Sequence, residues 1–552
     1  MKYETYLQSA FLIAVAWVLA EAFLLQTGGH EPSALDGMYA PVVTLVATYV
    51  MLYLSGMSLR AFLASSLLFY STLSVMPMIK YQFLWGGDVN YMYRIITTVN
   101  EASTYTLVRW LPSWIAGIYT NFPGFIVLNV IFAKTTGLQT LDGYRLLLPI
   151  AYGILYPVSL FLLSCLLTKS DAVRRSSVLA AVVPYASLPG QVWNYYLMPL
   201  VLSSILFLLV LYLTLKTTRS VEASLVSGLL MVALIVTHPL ISLYTVILLL
   251  GLVLFRLVHA QFARVRIGSN PSTAFVAFSC AALLGWWTYS GMSDWSFGQS
   301  AARVLISAFS EGFAIPSVTM RLQQGGPVTF LITHLSKLMI GTFALLGLYA
   351  IARGRLREVR IDHRLGSAAA LLVFWGMITF VPLYTFYDIY VAYRSLFFIM
   401  IVLTIAAGMG LFVFTRRMIG NQTVKKRKLR QAMLGAVLIV ILTASLFELY
   451  PTEYVNRTVR NATHTVYEKN AVEFMDNYWN SSGLVAMDPY TYHVAQSYLS
   501  LGVFEQIESP LGPGEPPYTL AQVTVADSNT GVPITRSIVY SSGSILITTI
   551  PG

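Results

Sequence analysis

Long apolar runs separated by short polar segments dominate the chain. About thirteen of the runs have the length of a membrane-spanning helix; they lie near residues 7–26, 38–55, 60–79, 142–168, 177–190, 196–215, 221–237, 240–257, 272–290, 328–350, 366–385, 395–415 and 432–449. A segment inside a bilayer must satisfy its own backbone hydrogen bonds, so each run is predicted to be helical. The pattern predicts an all-α polytopic membrane protein with about thirteen transmembrane helices.

Composition agrees with this class. Of the 552 residues, 56% are hydrophobic and 11% are charged, against about 25% charged in soluble domains. The two cysteines, Cys165 and Cys280, lie in apolar runs, which excludes a disulfide framework and a cysteine metal site. Residues 1–26 lack a small-residue cleavage site and are predicted to be a first membrane helix rather than a signal peptide.

The net charge of +11 comes from basic residues in alternate loops. If the N-terminus is cytoplasmic, the inner loops hold Arg60, Lys169, Arg174, Arg175, Lys216, Arg219, Arg256, Arg264, Arg266, Arg353, Arg355, Arg357, Arg360, Arg364 and the run 416–430. This is the positive-inside pattern. The charge is therefore a topology signal that can touch anionic lipid, rather than a nucleic-acid site. It predicts a multi-pass cell-membrane protein with a cytoplasmic N-terminus and an extracytoplasmic C-terminal region.

Residues 80–141 form the first long external loop in this topology. A helix is predicted from Val89, with Val89, Met92, Ile96 and Val99 on an apolar stripe and Asn90, Arg94, Thr97 and Glu101 on a polar one. Asp88 stands directly before this helix. It is suited to be its N-cap, and capping leaves one carboxylate oxygen for chemistry.

Two further surface-lying helices are predicted in this loop. One covers about residues 104–119, where tryptophans and tyrosines suit a membrane interface. The other lies within 121–137, whose apolar core is too short for a span. Asn121 is predicted to cap it, Pro123 to lie in its first turn and Gly137 to end it.

Hydrophobicity falls after Leu449, which divides the chain into a transmembrane domain, 1–449, and a C-terminal domain, 450–552. The latter is predicted to be small, external and mixed α/β, with strands near 521–527 and 544–550. Three glycosylation-type sequons, at Asn456, Asn461 and Asn480, give weak support for an external location because such triplets are frequent by chance.

An aspartate follows an early span, surface helices come next, and Phe122-Pro123-Gly124 starts a short helix. Tyr144-Arg145-Leu146 then enters a long span. The layout of this region resembles that of the glycosyltransferase C superfamily. This superfamily includes oligosaccharyltransferase catalytic subunits, protein O-mannosyltransferases and aminoarabinose transferases. The resemblance covers about residues 60–260. The chain lacks a second acidic residue beside Asp88 and the "WWDYG"-type signature of oligosaccharyltransferases. The resemblance implies transfer of a sugar from a polyprenyl-phosphate donor to a protein, lipid or glycan at the outer membrane face.

Such a transfer needs a base for the acceptor hydroxyl and cations for the departing phosphate. Asp88, among aromatic residues that would partly dehydrate it, is the predicted base. The predicted phosphate-binding residues are Arg394, His238 and Arg145, all near the outer ends of spans. Each has an alternative: Arg394 pairs with Asp388 or reaches the interface, Arg145 pairs with Asp142, and His238 bonds a backbone carbonyl at a helix end.

Additional site residues are predicted to be Glu101, Arg94, Asp294 and Glu311. Solvated loop carboxylates are the alternative for Asp294 and Glu311. Asp88 and one of these two carboxylates could together hold a divalent cation, Mg²⁺ or Mn²⁺. The sequence leaves this open, because ligands that come from separate loops form no recognisable motif. The competing hypothesis is a transporter or lipid flippase, which internal repeats and helices broken at mid-membrane would favour. A third hypothesis is a non-catalytic relative of the transferases.

Overall fold

The computed structural model of the chain describes separate ranges. They are 2–26, 38–80, 87–102, 122–186, 199–216, 221–263, 272–290, 335, 338–351, 353, 389–419, 424–447, 485–487, 504–506, 537–541 and 546–549. The span predicted at 366–385, the surface helix predicted at 104–119 and the strand predicted at 521–527 lie outside these ranges.

The described part is nearly all helical. Its helices are α1 (Lys2–Gln26), α2 (Tyr39–Leu54), α3 (Leu59–Lys80), α4 (Gly87–Ala102), α5 (Gly124–Thr136), α6 (Thr140–Leu167), α7 (Asp171–Ala180), α8 (Val182–Ala186), α9 (Pro199–Leu215), α10 (Val221–Ile235), α11 (Pro239–Ala263), α12 (Thr273–Tyr289), α13 (Leu338–Ile351), α14 (Ile389–Ile419) and α15 (Val424–Phe447). Within these ranges, α1, α3, α6, α14 and α15 are long and apolar enough to cross a membrane, and seven shorter helices are also apolar. The chain is therefore a membrane protein, and the count of about thirteen spans stays a prediction.

The predicted span at 177–190 is wrong at its start. The structure has α7 from Asp171 and a break at Ala181, followed by the short α8. Pro184 explains the break, because it has no N–H to donate to the carbonyl of Ala180 one turn earlier.

Two helices of the first loop are present with adjusted ends. Helix α4 starts at Gly87, so Asp88 is its second residue and not its N-cap. Helix α5 starts after Pro123, which occupies the N-cap position rather than the first turn, and ends at Gly137 as predicted. Gly137 has a φ of 70°, a left-handed conformation that favours glycine.

Buried tyrosines form a polar layer inside the bundle. The hydroxyl of Tyr70 donates to the Val178 carbonyl at 2.8 Å, and that of Tyr185 donates to the Tyr70 carbonyl at 2.8 Å. Tyr49 and Ser66 share a hydrogen bond of 2.8 Å. Because a bilayer offers no water to such groups, these bonds hold α2, α3, α7 and α8 in register.

Contacts give the relative directions of the helices. In α3 and α6, Met78 meets Arg145 and Ser71 meets Gly153, which makes the pair antiparallel. In α7 and α14, Ser177 meets Gly408, while Arg175 and Arg416 line one cavity. The bundle therefore has a basic end, which carries Arg60, Arg175 and Arg416, and a loop end, which carries α4, α5 and the start of α6.

One direction differs from the prediction. The charge pattern predicts that α13 and α14 run the same way. Instead, the Phe343 and Phe414 rings lie 5.7 Å apart and Gly347 packs against the Ala406 carbonyl, the contact order of an antiparallel pair. Arg353, directly after α13, is consequently not at the basic end. The prediction from charge gives each helix a direction by counting membrane crossings in order. One misplaced crossing therefore reverses the predicted direction of the helix beside it.

Four short strands are described near the C-terminus. Strands β1 (Val485–Met487) and β2 (Phe504–Gln506) pair in parallel, and β3 (Ser537–Ser541) and β4 (Leu546–Thr549) pair antiparallel. Strand β4 falls within the strand predicted at 544–550. The boundary and the fold of the C-terminal domain stay predictions.

Candidate functional site

Helix α4 is held at the loop end by one apolar face. Its buried residues Met92, Ile95, Ile96 and Val99 pack in a cluster with residues of α5 and α6, namely Phe125, Ile126, Tyr144 and Leu148. The predicted stripe is therefore confirmed at Met92, Ile96 and Val99, and Ile95 widens it. The Asn100 side-chain amide donates to the Thr140 hydroxyl at 3.0 Å, so it is the last turn of α4 that lies beside the start of α6.

The polar residues of α4 are only partly described. Glu101 is exposed near the end of the helix, and Thr97 is half-buried rather than on an open polar face. The side chains of Asp88, Val89, Asn90 and Arg94 lie outside the described side chains, although their helix is described. Their roles therefore stay predictions.

Tyr93 reports the electrostatics of this region. Its ring stacks on Tyr144 with centroids 6.1 Å apart. Burial raises the pKa of the Tyr93 phenol above its ordinary value, and the negative charges of Glu101 and Asp142 add to the rise. The carboxylates of Glu101 and Asp142 thus both lie close enough to Tyr93 to act on its phenol.

The start of α5 docks on the turn between α10 and α11. The Gly124 N–H donates to the Val236 carbonyl at 2.9 Å. A Cβ atom on Gly124 would lie 2.6 Å from the hydroxyl oxygen of Thr237, so only glycine permits this approach. The sequence analysis did not predict this contact, because the local sequence of neither segment indicates which distant segment it packs against. The available signals were Pro123-Gly124 and the helix break before Pro239.

His238 lies in that turn and is 9% exposed. Its Nδ1 accepts a 3.4 Å hydrogen bond from the Ile241 N–H, so the imidazole caps α11. The predicted alternative, a bond from the imidazole to a backbone carbonyl at a helix end, stays a prediction. In a neutral ring whose Nδ1 accepts, the proton is on Nε2.

Arg145 ties the start of α6 to the end of α3. Its Nη2 donates to the Met78 carbonyl at 2.7 Å, and the side chain is half-buried. A cation at the C-terminal end of a helix is favourable because of the helix dipole. The bond orients the end of α3, the helix that precedes α4 and Asp88 along the chain.

Arg394 lies in the first part of α14, and its side chain lies outside the described ones. One turn later, the Phe398 ring lies 5.3 Å from Tyr244 and 4.5 Å from Phe207. Tyr244 is in the second turn of α11, which His238 caps. Arg394 therefore lies at the same end of the bundle as His238 and Arg145.

An apolar cavity of about 280 Å³ adjoins the same turn. It lies between α10 and α12 and is lined by Val232, Ile235, Val236, Ala282, Gly285, Trp286 and Tyr289. Val236 belongs both to the cavity wall and to the turn that receives Gly124. The apolar cavity thus directly adjoins the turn that contains His238.

A metal site is not found in the described part. There, no group of three or more histidine, cysteine, aspartate or glutamate side chains could hold an ion. Asp294 and Glu311, the predicted partners of Asp88, lie outside the described residues. The predicted Mg²⁺ or Mn²⁺ therefore stays a prediction.

Comparison with known proteins gives similarity of structure. No protein-family model and no curated protein matches the chain. The apo oligosaccharyltransferase of Archaeoglobus fulgidus is similar, with a TM-score of 0.49 and 13% identity, over 82% of this chain and 62% of that one. The oligosaccharyltransferase AglB of the same archaeon, in complex with an inhibitory peptide and a dolichol-phosphate, has a TM-score of 0.46 and 12% identity over the same shares.

ArnT from Cupriavidus metallidurans, bound to undecaprenyl phosphate, has a TM-score of 0.45 and 13% identity, over 80% of this chain and 85% of that one. The chain therefore spans less than two thirds of the archaeal oligosaccharyltransferase and most of ArnT. Both are members of the glycosyltransferase C superfamily.

Proposed function

We propose that this chain is an integral-membrane glycosyltransferase that moves a sugar from a polyprenyl-phosphate-linked donor to an acceptor at the outer face of the membrane. The sugar is a hexose or a pentose, and the acceptor is a protein, a lipid or a glycan. The site is the loop end of the bundle. That end carries α4, the His238 turn and the first part of α14.

The observation that carries the proposal is the docking of α5 on the turn that contains His238. The same α5 packs against α4, so one short helix contacts both the helix that carries Asp88, the predicted base, and the turn that carries His238. Arg145 and Arg394 lie at this end as well. One carboxylate with several cationic or donor groups is the set that glycosyl transfer from a phosphate requires.

In the proposed reaction, Asp88 takes the proton of the acceptor hydroxyl while the acceptor oxygen attacks the anomeric carbon of the sugar. The bond between that carbon and the phosphate oxygen breaks, and polyprenyl phosphate leaves with the bonding electrons. Arg394 and His238 stabilise the negative charge on the departing phosphate, and Arg145 assists from the start of α6. A divalent cation at Asp88 would add positive charge to the same phosphate.

The apolar cavity between α10 and α12 suits the isoprenoid chain of the donor. Its wall is aliphatic and aromatic, and it adjoins the turn proposed to hold the phosphate. A polyprenyl phosphate laid across this boundary keeps its chain in apolar surroundings and its headgroup beside His238. Polar and apolar parts of the ligand thereby meet matching parts of the protein.

The test is a transfer assay on the full chain in nanodiscs. A panel of radiolabelled polyprenyl-phosphate hexoses and pentoses is supplied with a membrane extract as the source of acceptors. We expect one donor to yield free polyprenyl phosphate and a labelled acceptor in equal amounts. Analysis of surface glycans and glycolipids after gene deletion identifies the acceptor.

A transporter or flippase gives a different result. It would move a donor across a vesicle bilayer without forming a new glycosidic bond. Translocation without transfer for every donor in the panel would contradict the proposal.

A further inference from the structure

A second cavity lies at the basic end of the bundle, far from the candidate site. It has a volume of about 420 Å³ and is formed where α2 ends, α7 begins, α14 ends and α15 begins. Its described lining consists of Tyr53, Leu54, Gly56, Ala172, Arg175, Phe412, Thr415, Arg416, Ile419, Arg427 and Gln431. Helix α6 alone, at 1.5 Å per residue over 28 residues, separates the two ends by about 40 Å.

The charge of this cavity is one-sided. Arg175, Arg416 and Arg427 come from three different helices, and the described lining contains no acidic side chain. The nearby carboxylate of Asp171 pairs with Arg174 at 3.0 Å instead. A cavity lined by three arginines, with no carboxylate in its described lining, is suited to an external anion.

The walls around the arginines have two characters. Leu54, Phe412 and Ile419 supply an apolar side, and Thr415 and Gln431 supply hydrogen-bonding groups. Arg175 is anchored, because its guanidinium donates to the Met57 carbonyl. A ligand with a phosphate group and an apolar tail fits these walls better than a purely soluble anion.

We propose that this cavity binds the headgroup of an anionic phospholipid, with the phosphate on the arginines and the start of the acyl chains against Leu54, Phe412 and Ile419. Basic pockets between membrane helices bind anionic headgroups in this manner. The site would tie α2, α7, α14 and α15 together from the lipid phase. It is independent of the proposed transferase activity.

The test uses full-length protein in phosphatidylcholine nanodiscs with and without phosphatidylglycerol, and native mass spectrometry of the lipids that remain bound. The wild type should retain phosphatidylglycerol in preference to phosphatidylcholine. Each basic residue near an anionic lipid contributes roughly fivefold in affinity. The double variant Arg416→Gln, Arg427→Gln should therefore lose about 25-fold in affinity.

The matched control is Arg417→Gln, Lys428→Gln. It removes the same charge from neighbouring residues that are also exposed and do not line the cavity. All four substituted side chains are exposed, so folding should be unaffected, and circular dichroism checks this.

Three outcomes would overturn the proposal. One is equal retention of the two lipids by the wild type, and another is an equal loss in both double variants, which would indicate general surface charge. The third is displacement of phosphatidylglycerol by inorganic phosphate, which would identify a soluble-phosphate site.

Discussion

Asp88 is the second residue of α4, a position at which a carboxylate is favourable because of the positive end of the helix dipole. Replacement by asparagine keeps the shape and removes the basicity. We expect Asp88→Asn to lower turnover at least about a hundredfold, the effect of losing a general base. Loss of the dipole interaction should cost less than about 1 kcal/mol of stability. The measurements are initial rates of polyprenyl-phosphate release and melting temperatures.

Asp142→Asn is the control for that variant. Asp142 is also an aspartate in the first turn of a loop-end helix, and it is exposed. It should show a similar small stability change and normal turnover. An Asp88→Asn protein that stays stable and fully active would remove Asp88 from catalysis and move the base to Glu101, Asp294 or Glu311.

Arg394 is proposed to hold the donor phosphate through its planar fork, which lysine cannot reproduce. Charge-assisted hydrogen bonds contribute about 1.5–3 kcal/mol. Arg394→Lys should therefore weaken binding of the lipid-linked donor by at least roughly tenfold. Binding is measured by the shift in melting temperature as donor is added. Arg417→Lys, at the opposite end of the same helix and outside the cavity of that end, should leave donor affinity unchanged. An equal effect of the two variants would argue against the role.

At the scale of helices, the contact between α5 and the His238 turn leaves little room for a larger side chain at Gly124. A methyl group on Gly124 would lie 2.6 Å from the Thr237 hydroxyl oxygen and 3.0 Å from the Val236 carbonyl oxygen. The Thr237 hydroxyl cannot easily withdraw, because it donates to the Ala233 carbonyl at 2.6 Å. Gly124→Ala should thus cost about 1–3 kcal/mol, the usual penalty for overpacking. Displacement of the His238 turn should also reduce donor binding.

Gly143→Ala provides the comparison for this variant. The nearest atom to a Cβ at Gly143, in α6, is 3.5 Å away in a Phe132 ring, an ordinary contact. Alanine is the better helix former by about 1 kcal/mol. Gly143→Ala should therefore be neutral or stabilising. If Gly124→Ala matches it in melting temperature and activity, α5 does not depend on this close approach.

Local pattern predicts helices well here and predicts their ends less well. The stripe of Met92, Ile96 and Val99 and the stop at Gly137 follow from spacing and from glycine conformation, which are local properties. The break at Ala181 arises because Pro184 cannot donate the backbone hydrogen bond that would continue the helix. The docking of Gly124 on Val236 depends on tertiary packing, which no local pattern contains. The candidate site was therefore predictable as a set of residues and not as a set of contacts.

At the scale of the whole molecule, the charges predict which helix ends come together. The cavity at the basic end joins Arg175, Arg416 and Arg427, as expected if their loops share one side. Helix α13 is the exception, since it runs opposite to its predicted direction. The directions of α14 and α15 do not depend on α13, because α14 packs on α7 and α15 packs on α2.

The side of the membrane to which the loop end faces is the last prediction. The basic end should be cytoplasmic by the positive-inside rule, which places α4 and the segment after Tyr450 outside. In a background with Cys165 and Cys280 replaced by serine, single cysteines at Ser103 and Ser482 should both react with an impermeant thiol reagent on intact cells. A cysteine at Ser170, between α6 and α7 at the basic end, should react only after permeabilisation. Labelling of Ser103 without Ser482 would mean that an odd number of crossings is missing between them, and labelling of Ser170 alone would invert the molecule.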